Sequence, residues 1–370
     1  MPTWRNFRNN AYRCGLYEAQ DVLVEIDDVD VIPIEPTWAA WLNEYWLRTP
    51  LYHDVFGKLI FANPGLKKVR LNKNYDLFIA VCATFWDLPY INAIERWKDH
   101  CKVSVCWLDE LWVSDIADYK YWLPALRQFD YVFVGYKGTV SALSHAANRT
   151  CYWLPGGVDA LRFRPSSDRS GRVVDVYSIG RRYEGIHHQL LSASERGDIF
   201  YLYDSHAGGG MTEVQDYRQH RELFANIAKR SRHFVVAAAK MNQPDYRQDQ
   251  IEVGYRYYEG AAAGAVLIGD APDCDAYREL LGWPEAVIQI RSDGSDTMAV
   301  LQELGSDQER LAAISRRNTQ QALLRHDWAH RWQEMFRIVG SDPPRKPARG
   351  QRLRRLAEVF AGTDGRVNVP

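Results

Sequence analysis

The chain has 370 residues, and its 46 basic and 47 acidic side chains give a formal net charge of −1. This balance excludes a strong overall field that would recruit nucleic acid or a membrane, while 46% hydrophobic residues can furnish the cores of two domains. The six cysteines include no CxxC pair, so we expect reduced thiols in a cytoplasmic protein. We expect neither a signal peptide nor a transmembrane helix, because the N-terminus lacks an apolar segment and no apolar run approaches about 20 residues.

The beginning of the chain contains two β-branched runs. Residues 1–20 carry no strand pattern, whereas residues 22–26 and 31–34 are predicted as strands around an acidic turn. Asp28 and Asp30 in that turn have the spacing of a metal-binding DxD motif. So little chain precedes them that we interpret the turn as a solvated loop.

Strands and helices then alternate up to residue 154. Strands are predicted at 75–82, 103–107 and 131–134, and helices at 37–47, 91–100 and 122–129. The alternation favours a doubly wound α/β layer, in which ligands bind beyond the carboxyl ends of the strands. Asp109 and Glu110 directly follow a predicted strand, so they are candidates to meet a substrate. Capping of the following helix is an equally weighted interpretation of the same position.

A linker precedes a second series of strands. Residues 151–165, Cys-Tyr-Trp-Leu-Pro-Gly-Gly-Val-Asp-Ala-Leu-Arg-Phe-Arg-Pro, combine prolines with a double glycine, a composition typical of a hinge. Strands are predicted at 173–179, 199–203, 234–238 and 287–290. Gly180, Arg181 and Arg182 follow the first of these strands, and Lys240 follows the third. These residues are therefore expected at a carboxyl edge of the sheet.

The segment 252–269 is the most informative part of the sequence. We predict a helix at 256–263, a turn at Gly264 and a buried strand at 265–268, with small residues that let helix and strand backbones approach closely. Arg256 and Glu259 lie three residues apart on one helical face. A carboxylate accepts hydrogen bonds from a vicinal diol, and a guanidinium holds phosphate, so the pair indicates a nucleotide. For either residue alone, an ordinary helical ion pair is the more frequent explanation.

Residues 151–165 and 252–269 together resemble the hinge and donor-binding segments of glycosyltransferases of the group 1 type, which are family-four-like and have the GT-B fold. The resemblance implies two Rossmann-like, doubly wound domains facing a central cleft. Residues 1–165 would form the acceptor domain and 166–340 the nucleotide-sugar donor domain. The basic tail, 341–370, would be a mobile extension or a last helix, 351–360, packing back on the N-terminal domain.

The resemblance also implies a reaction: transfer of a sugar from a nucleoside-diphosphate donor to an acceptor, with retained configuration and without a metal or cofactor. The acceptor would be a glycan, a lipid-linked compound, a protein or a small molecule, with no nucleic acid and at most peripheral membrane contact. Glu259, the glutamate of the helix motif, would bind the ribose. Glu252 lies seven residues before it rather than the usual eight, so the resemblance assigns the role to Glu259 alone. Asp109 or Glu110 would face the sugar or the acceptor. The other predicted donor-binding residues are Gly180, Arg181, Arg182, Lys240, Arg256 and Tyr257.

Three other interpretations can each be checked against a specific feature of the sequence. A nicotinamide-dependent oxidoreductase would show a glycine fingerprint after an early strand, and the sequence has none. A catalytically silent GT-B-like binding or scaffold protein is favoured by one departure, because residues 183–186 lack the lysine that usually follows the Gly-Arg pair. His326 and His330 have the spacing of a helical zinc site, but no third ligand follows, so we predict a structural helix.

Overall fold

The continuous apolar runs of the sequence form parallel strands, as predicted. A computed structural model describes residues 1–40, 60–118, 120–165, 171–205 and 212–362. In this part of the chain the strands are β1 Pro2–Thr3, β2 Ile32–Pro33, β3 Val69–Arg70, β4 Tyr75–Cys82, β5 Ile94–Glu95, β6 Cys101–Leu108, β7 Tyr131–Val134, β8 Cys151–Trp153, β9 Val174–Ser178, β10 Tyr201–Tyr203, β11 Ser231–Val236, β12 Val266–Gly269 and β13 Ile288–Gln289.

The helices lie between these strands and after them. They are α1 Cys14–Ile26, α2 Val113–Asp118, α3 Leu123–Leu126, α4 Val140–Ala147, α5 Ala160–Phe163, α6 Glu184–Glu195, α7 Tyr217–Lys229, α8 Pro244–Arg247, α9 Tyr255–Ala262, α10 Asp275–Leu281, α11 Thr297–Ser306, α12 Gln308–Arg325, α13 Trp328–Val339 and α14 Ala348–Ala361. Among the described residues, no helix has the length and apolarity needed to cross a membrane.

The chain divides into two units, each of which has its own parallel sheet. The first unit comprises Met1–Asn9, Asp28–Pro155 and Gln333–Pro343, and the second comprises Asn10–Asp27, Gly156–Trp332 and Pro344–Pro370. The division after Pro155 lies ten residues before the predicted boundary at 165. Residues 10–27, predicted as part of the N-terminal domain, belong to the second unit.

The first unit contains a four-stranded parallel sheet with the order β4-β6-β7-β8. Strands β4 and β7 have the predicted bounds, and β6 contains the predicted strand 103–107. Cys82 pairs with Leu108, and Leu108 pairs with Val134, so the carboxyl ends of three strands are level. Residues after these strands therefore share one edge of the sheet.

The second unit contains a five-stranded parallel sheet with the order β10-β9-β11-β12-β13. In chain order this is the doubly wound arrangement 2-1-3-4-5. The chain reverses its winding direction between β9 and β11, and such a switch point leaves a crevice at the carboxyl ends of the two strands. The core around this sheet includes the buried side chains of Val176, Leu190, Val235 and Ile268.

The predicted strand at 22–26 is wrong, because these residues are the last turns of helix α1. Leu16, Ala19, Leu23 and Ile26 are buried at spacings of three and four, which is the helical period. The β-branched run at its end hid this period. The next predicted strand, at 31–34, is observed in part, as the short strand β2.

The predicted helix at 91–100 is also wrong. Two 3₁₀ segments, Phe85–Ala93 and Trp97–His100, stand on either side of β5. Pro89 removes a backbone donor within the first segment, and Arg96 has a positive φ of 51° before the second. Strand β5 and the left-handed backbone at Arg96 interrupt the predicted segment. The predicted helix at 122–129 shortens to α3, which follows a 3₁₀ turn.

Two further predictions concern the helix at 37–47, which contains several aromatic residues, and the basic tail. Trp41, Tyr45 and Trp46 lie outside the described residues, and Trp38, which is described, is 78% exposed. The tail forms helix α14, which is longer than the predicted 351–360 and packs against α12 and α1 of the second unit.

Candidate functional site

Helix α9 and strand β12 form within one residue of their predicted bounds, and Gly260 explains how closely they pack. A Cβ atom at Gly260 would lie 2.5 Å from Leu267 Cδ2 and 3.0 Å from Phe234 Cδ1. Gly264 then turns the chain with a φ of 65°, which favours glycine. The small residues therefore fix the helix that carries Glu259 directly against β11 and β12.

The switch point between β9 and β11 brings Gly180 and Arg256 together. Gly180 follows β9 with a φ of 81°, and its amide donates to Asp204 Oδ2 at 3.1 Å. Arg256 Nε donates to the carbonyl oxygen of Ile179 at 3.3 Å. A Cβ atom at Gly180 would lie 3.8 Å from Nε and Nη2 of Arg256. Two residues predicted to bind the donor are thus neighbours at the carboxyl edge of the sheet.

Glu259 is 1% exposed and carries an arginine on each carboxylate oxygen. Arg221 donates to Oε1, and Arg256 donates to Oε2. Burial alone would raise the pKa of Glu259, but the charges of Arg256 and Arg221 outweigh it, so the pKa lies below its ordinary value. The carboxylate is therefore ionised at neutral pH and acts only as a hydrogen-bond acceptor.

Sequence reasoning missed Glu18 and Arg221, which are almost fully buried beside Glu259. Arg221 donates to Glu18 through Nε at 2.8 Å and through Nη2 at 3.0 Å. A signal was present, because each charge stands on the apolar face of its helix. Glu18 lies four residues from both Cys14 and Val22, which are buried, and Arg221 lies three residues before buried Phe224.

Arg181 and Arg182, both predicted to bind the donor, differ in their surroundings. The side chain of Arg181 is exposed. Arg182 forms an ion pair with Asp204 at 2.9 Å and lies 5.3 Å from the centre of the Tyr203 ring. Since Asp204 also accepts the Gly180 amide, Arg182 braces the turn after β9.

Lys240 lies in the loop after β11, beside a cavity of about 520 Å³. It adopts a φ of 50°, a left-handed conformation that non-glycine residues rarely take. Its ammonium group lies 4.1 Å from the centre of the Tyr246 ring. The cavity is lined by Lys240, Asn242, Gln243, Pro244, Asp245 and Tyr246.

Tyr257 occupies the core of the second unit. Its side chain is fully buried, and its hydroxyl donates to the carbonyl oxygen of Asp270 at 2.7 Å. Burial raises the pKa of this hydroxyl well above its ordinary value. Tyr257 therefore holds the loop after β12, and its hydroxyl is already engaged in that contact.

Asp109 and Glu110 stand at the carboxyl edge of the first unit's sheet, as predicted. Their amides donate to the carbonyl oxygens of Cys82 and Ala83, both at 2.9 Å, and so continue the pairing of β6 with β4. Asp109 is 9% exposed, while Glu110 accepts a hydrogen bond from Trp112 Nε1 at 3.2 Å. Both carboxylates are therefore placed at the edge where ligands of parallel sheets bind.

The predicted helix forms as α13, which begins at Trp328 and carries His330, whereas His326 lies between α12 and α13. Asp327 is fully buried and accepts two hydrogen bonds from Arg349, at 2.9 and 2.7 Å. His330 Nε2 lies 2.9 Å from the carbonyl oxygen of Leu323. Within the described part of the chain, no three His, Cys, Asp or Glu side chains are grouped as metal ligands.

Comparison with known proteins agrees with this arrangement. A family model described as "Glycosyl transferase-like" matches residues 238–337, which include Lys240, Arg256 and Glu259. No curated protein matches the sequence.

The fold is shared with solved structures of low sequence identity. An alpha-glucosyltransferase in complex with UDP and a 13-mer DNA containing a HMU base has a TM-score of 0.51 at 13% identity, with 92% of this chain and 98% of that chain covered. An alpha-glucosyltransferase in complex with UDP has a TM-score of 0.52 at 12% identity and the same coverage. HepE of Anabaena in complex with UDP-glucose has a TM-score of 0.46 at 15% identity, with 72% and 79% covered.

The structural likeness and the family match test different predictions, the first the fold and the second the similarity of one segment. The structural likeness establishes the two-sheet α/β architecture over nearly the whole chain, and the family match confirms the resemblance in the segment that carries Arg256 and Glu259. The chain therefore has the GT-B fold of these glycosyltransferases, and residues 238–337 match a glycosyltransferase family model.

Proposed function

We propose that this protein transfers a sugar from a nucleoside-diphosphate donor, with a UDP-sugar as the first candidate, and that the second unit holds the donor. The observation that carries the proposal is the position of Arg256, which contacts Glu259 on one side and the Gly180 turn on the other. A ribose diol needs an ionised acceptor and a diphosphate needs a cation. Here both stand at a topological switch point, where doubly wound sheets bind nucleotides.

Each donor group has a residue suited to it. Glu259 accepts hydrogen bonds from the ribose hydroxyls, because the pKa of its carboxyl is held below the ordinary value. Arg256, exposed Arg181 and Lys240 of the neighbouring loop contact the diphosphate. Arg182 is already paired with Asp204, so its part is to keep the turn at Gly180 in place.

The reaction breaks the bond between the anomeric carbon and the diphosphate oxygen and forms a bond from that carbon to an acceptor oxygen, whose proton passes to the departing diphosphate. Negative charge grows on the leaving diphosphate, and fixed positive groups stabilise it. We propose that the configuration is retained and that no metal ion takes part. Asp109 or Glu110 of the first unit faces the sugar or the acceptor.

Uridine is the first base to test, because an alpha-glucosyltransferase of the same fold is solved with UDP. The experiment is calorimetric titration with UDP, GDP, ADP and dTDP of the wild type and of Glu259→Gln. We expect one nucleotide to bind and the variant to lose about 100-fold in affinity, the value of two hydrogen bonds to a charged group. Glu195→Gln is the matched control, since Glu195 is exposed at the end of α6.

Turnover distinguishes an enzyme from a silent binding protein of the same fold. Once a nucleotide is found, its sugar conjugates are incubated with the protein and released nucleotide is measured over hours. Slow hydrolysis of one conjugate, absent in Glu259→Gln, supports the transferase. Binding without any release favours the silent protein, for which the missing lysine at 183–186 is the sequence argument. Failure of all four nucleotides to bind contradicts the proposal.

A further inference from the structure

Glu259 belongs to a row of alternating charges that runs from the solvent into the second unit. Arg256 is 34% exposed at its outer end, and then Glu259, Arg221 and Glu18 follow with side chains at most 3% exposed. Burial of a charge is costly unless it is paired. The row therefore needs an explanation beyond packing, since apolar side chains of the same volume often fill such space at no loss of stability.

Arg221 joins two carboxylates in a fixed geometry. Nε and Nη2 donate to the two oxygens of Glu18, at 2.8 and 3.0 Å, and Nη1 donates to Glu259. The guanidinium also stacks on Phe163, 4.7 Å from the ring centre. Because a bidentate pair fixes the guanidinium plane, it also fixes the direction from which Nη1 reaches Glu259.

Glu18 is held in turn by groups from other parts of the second unit. It accepts hydrogen bonds from the Asp159 amide at 2.8 Å, from Trp328 Nε1 at 3.2 Å and from Arg162 Nη1 at 3.0 Å. These donors come from α13 and from the segment around α5. The Glu18 carboxylate is therefore a fixed anchor for Arg221.

The two arginines on Glu259 are not equivalent. Arg221 is 3% exposed and fully committed to two buried carboxylates, whereas Arg256 is 34% exposed and borders the Gly180 turn. Arg256 is thus the partner that a diphosphate can draw away. Each carboxylate oxygen has two lone pairs, so Glu259 can keep Arg221 and still accept ribose hydroxyls.

We propose that Arg221 and Glu18 are positioning residues for the donor ribose: Glu18 fixes Arg221, and Arg221 keeps the Glu259 carboxylate oriented and ionised when Arg256 turns to the diphosphate. This inference rests on the proposed function. It makes the first long helix of the chain, α1, part of the donor-binding machinery.

The test compares UDP with 2′,3′-dideoxy-UDP, which lacks the hydroxyls that Glu259 would bind. The ratio of the two dissociation constants isolates the ribose contact from general damage to the site. The variant is the pair Glu18→Gln and Arg221→Met, which removes one negative and one positive charge together and so avoids a lone buried ion. The amide that replaces the Glu18 carboxylate keeps an oxygen for Trp328 Nε1 and the Asp159 amide. Circular dichroism and thermal unfolding establish that the pair variant folds.

We expect the wild type to prefer UDP by about 100-fold, the value of the two hydrogen bonds to the charged Glu259 that dideoxy-UDP lacks. In the pair variant this preference should shrink to less than about threefold, with dideoxy-UDP binding unchanged. If the pair variant does not fold, Arg221→Lys takes its place, because lysine keeps the charge but lacks the planar fork that makes the bidentate pair with Glu18. The expected loss of preference is the same.

The preference for UDP over dideoxy-UDP, measured across pH, gives a second test. A purely structural role of Arg221 would not make this preference depend on pH. The charged and titratable groups facing Glu259 are Arg256 on α9, Arg221 and His220 on α7, Cys14 and Glu18 on α1, and Tyr177 on β9. Without Arg221 the buried carboxyl should take up a proton more readily, so the remaining preference for UDP should grow between pH 6 and pH 8.5. In the wild type it should stay constant. His220→Gln in both backgrounds removes the one histidine of this set.

The outcomes separate the inference from the proposed function. The inference is supported if the wild type prefers UDP to dideoxy-UDP and the pair variant does not. An unchanged preference in the variant at every pH overturns it and leaves the donor site as proposed. Equal wild-type binding of UDP and dideoxy-UDP overturns the ribose assignment of Glu259 and the inference with it. If the wild type binds none of the four nucleoside diphosphates, the proposed function fails first.

Discussion

Arg221 of helix α7 forms a buried bidentate ion pair with Glu18 of helix α1, 203 positions earlier in the chain. The pair explains why residues 10–27 belong to the second unit, although the whole first unit's sheet follows them in sequence. Helices α1 and α7 pack together, and the ion pair supplies the specific register of that packing. A segment that the sequence assigns to the N-terminal domain is thus an integral part of the second unit.

Replacement of Gly260 by alanine tests the close approach of α9 to the sheet. We expect Gly260→Ala to destabilise the protein by about 1 kcal/mol or more, because a Cβ atom 2.5 Å from Leu267 Cδ2 overpacks a buried site. This cost opposes the helix propensity of alanine, which favours the substitution by about 1 kcal/mol. The measurement is the free energy of unfolding in urea.

Gly305→Ala is the matched control for that substitution. Gly305 also lies in a helix, α11, but a Cβ atom added there would have nothing within 4 Å. Alanine should therefore stabilise the protein at this position by about 0.5–1 kcal/mol. Equal stabilisation by both substitutions would contradict the packing argument.

Loss of Arg349 should be among the most damaging single substitutions in helix α14. Its guanidinium donates to Asp159 at 2.6 Å, to Asp327 at 2.7 Å and to Glu25 at 2.6 Å. We expect Arg349→Met to cost about 3–5 kcal/mol in urea unfolding, because two buried carboxylates would lose their cation. Arg352→Met on the exposed side of the same helix should change stability by less than about 0.5 kcal/mol. Similar losses for both variants would mean that the buried ion pairs are not what anchors this helix.

Helix periodicity and strand composition account for what can be predicted of the fold. The strands predicted at 75–82 and 131–134 have the observed bounds, since a buried parallel strand reads as a continuous apolar run. The strand predicted at 22–26 is wrong because a short β-branched run fits both a strand and the buried stripe of a helix. Only the longer stripe beginning at Leu16 distinguishes the two.

The site is predictable where its residues are close in sequence and hidden where they are distant. Arg256 and Glu259 lie in one helix, so their spacing alone indicates that they share a face. The pairing of Glu259 with Arg221, 38 positions away, and of Arg221 with Glu18 depends on how helices pack. A charged residue on an apolar helix face signals a buried ion pair, but the sequence does not name its partner.

The carboxylates at the edge of the first unit's sheet should affect transfer and leave nucleotide affinity unchanged. We expect Asp109→Asn or Glu110→Gln, or both, to lower kcat by about 100-fold or more, the usual contribution of a positioned acid or base. The dissociation constant for the donor nucleotide should stay as in the wild type, because the predicted donor contacts belong to the second unit. Asp118→Asn, an exposed carboxylate on α2, is the control. Normal kcat in both variants would remove these two residues from the chemistry.

His326 should make the stability of the protein depend on pH in the neutral range. Its ring is fully buried near the rings of Tyr258 and Trp283, at centroid distances of 4.8 and 5.8 Å, and Arg331 Nη2 donates to Nδ1 at 3.1 Å. Burial first, and then the charge of Arg331, hold the pKa of His326 well below 6.5. The folded protein therefore keeps this ring neutral.

The unfolded chain takes up a proton on His326 as the pH falls through about 6.5, and the folded chain does not. The stability that depends on this ring is thus present above pH 6.5 and is lost as the pH falls below it, by about 1.4 kcal/mol between pH 7.5 and 5.5. Burial also lowers the pKa values of His187, His220 and His233, so they act in the same direction. The wild-type slope should exceed the contribution of one histidine.

Urea unfolding of His326→Gln across this pH range isolates the contribution of the one ring. Glutamine keeps an oxygen acceptor for Arg331 but does not titrate, so the variant should be less stable at pH 7.5 and should lose about 1.4 kcal/mol less than the wild type on going to pH 5.5. His188→Gln, at an exposed position on α6, should reproduce the wild-type slope. A His326→Gln slope equal to that of the wild type would mean that the buried ring is protonated in the folded protein, and that Arg331 does not donate to it.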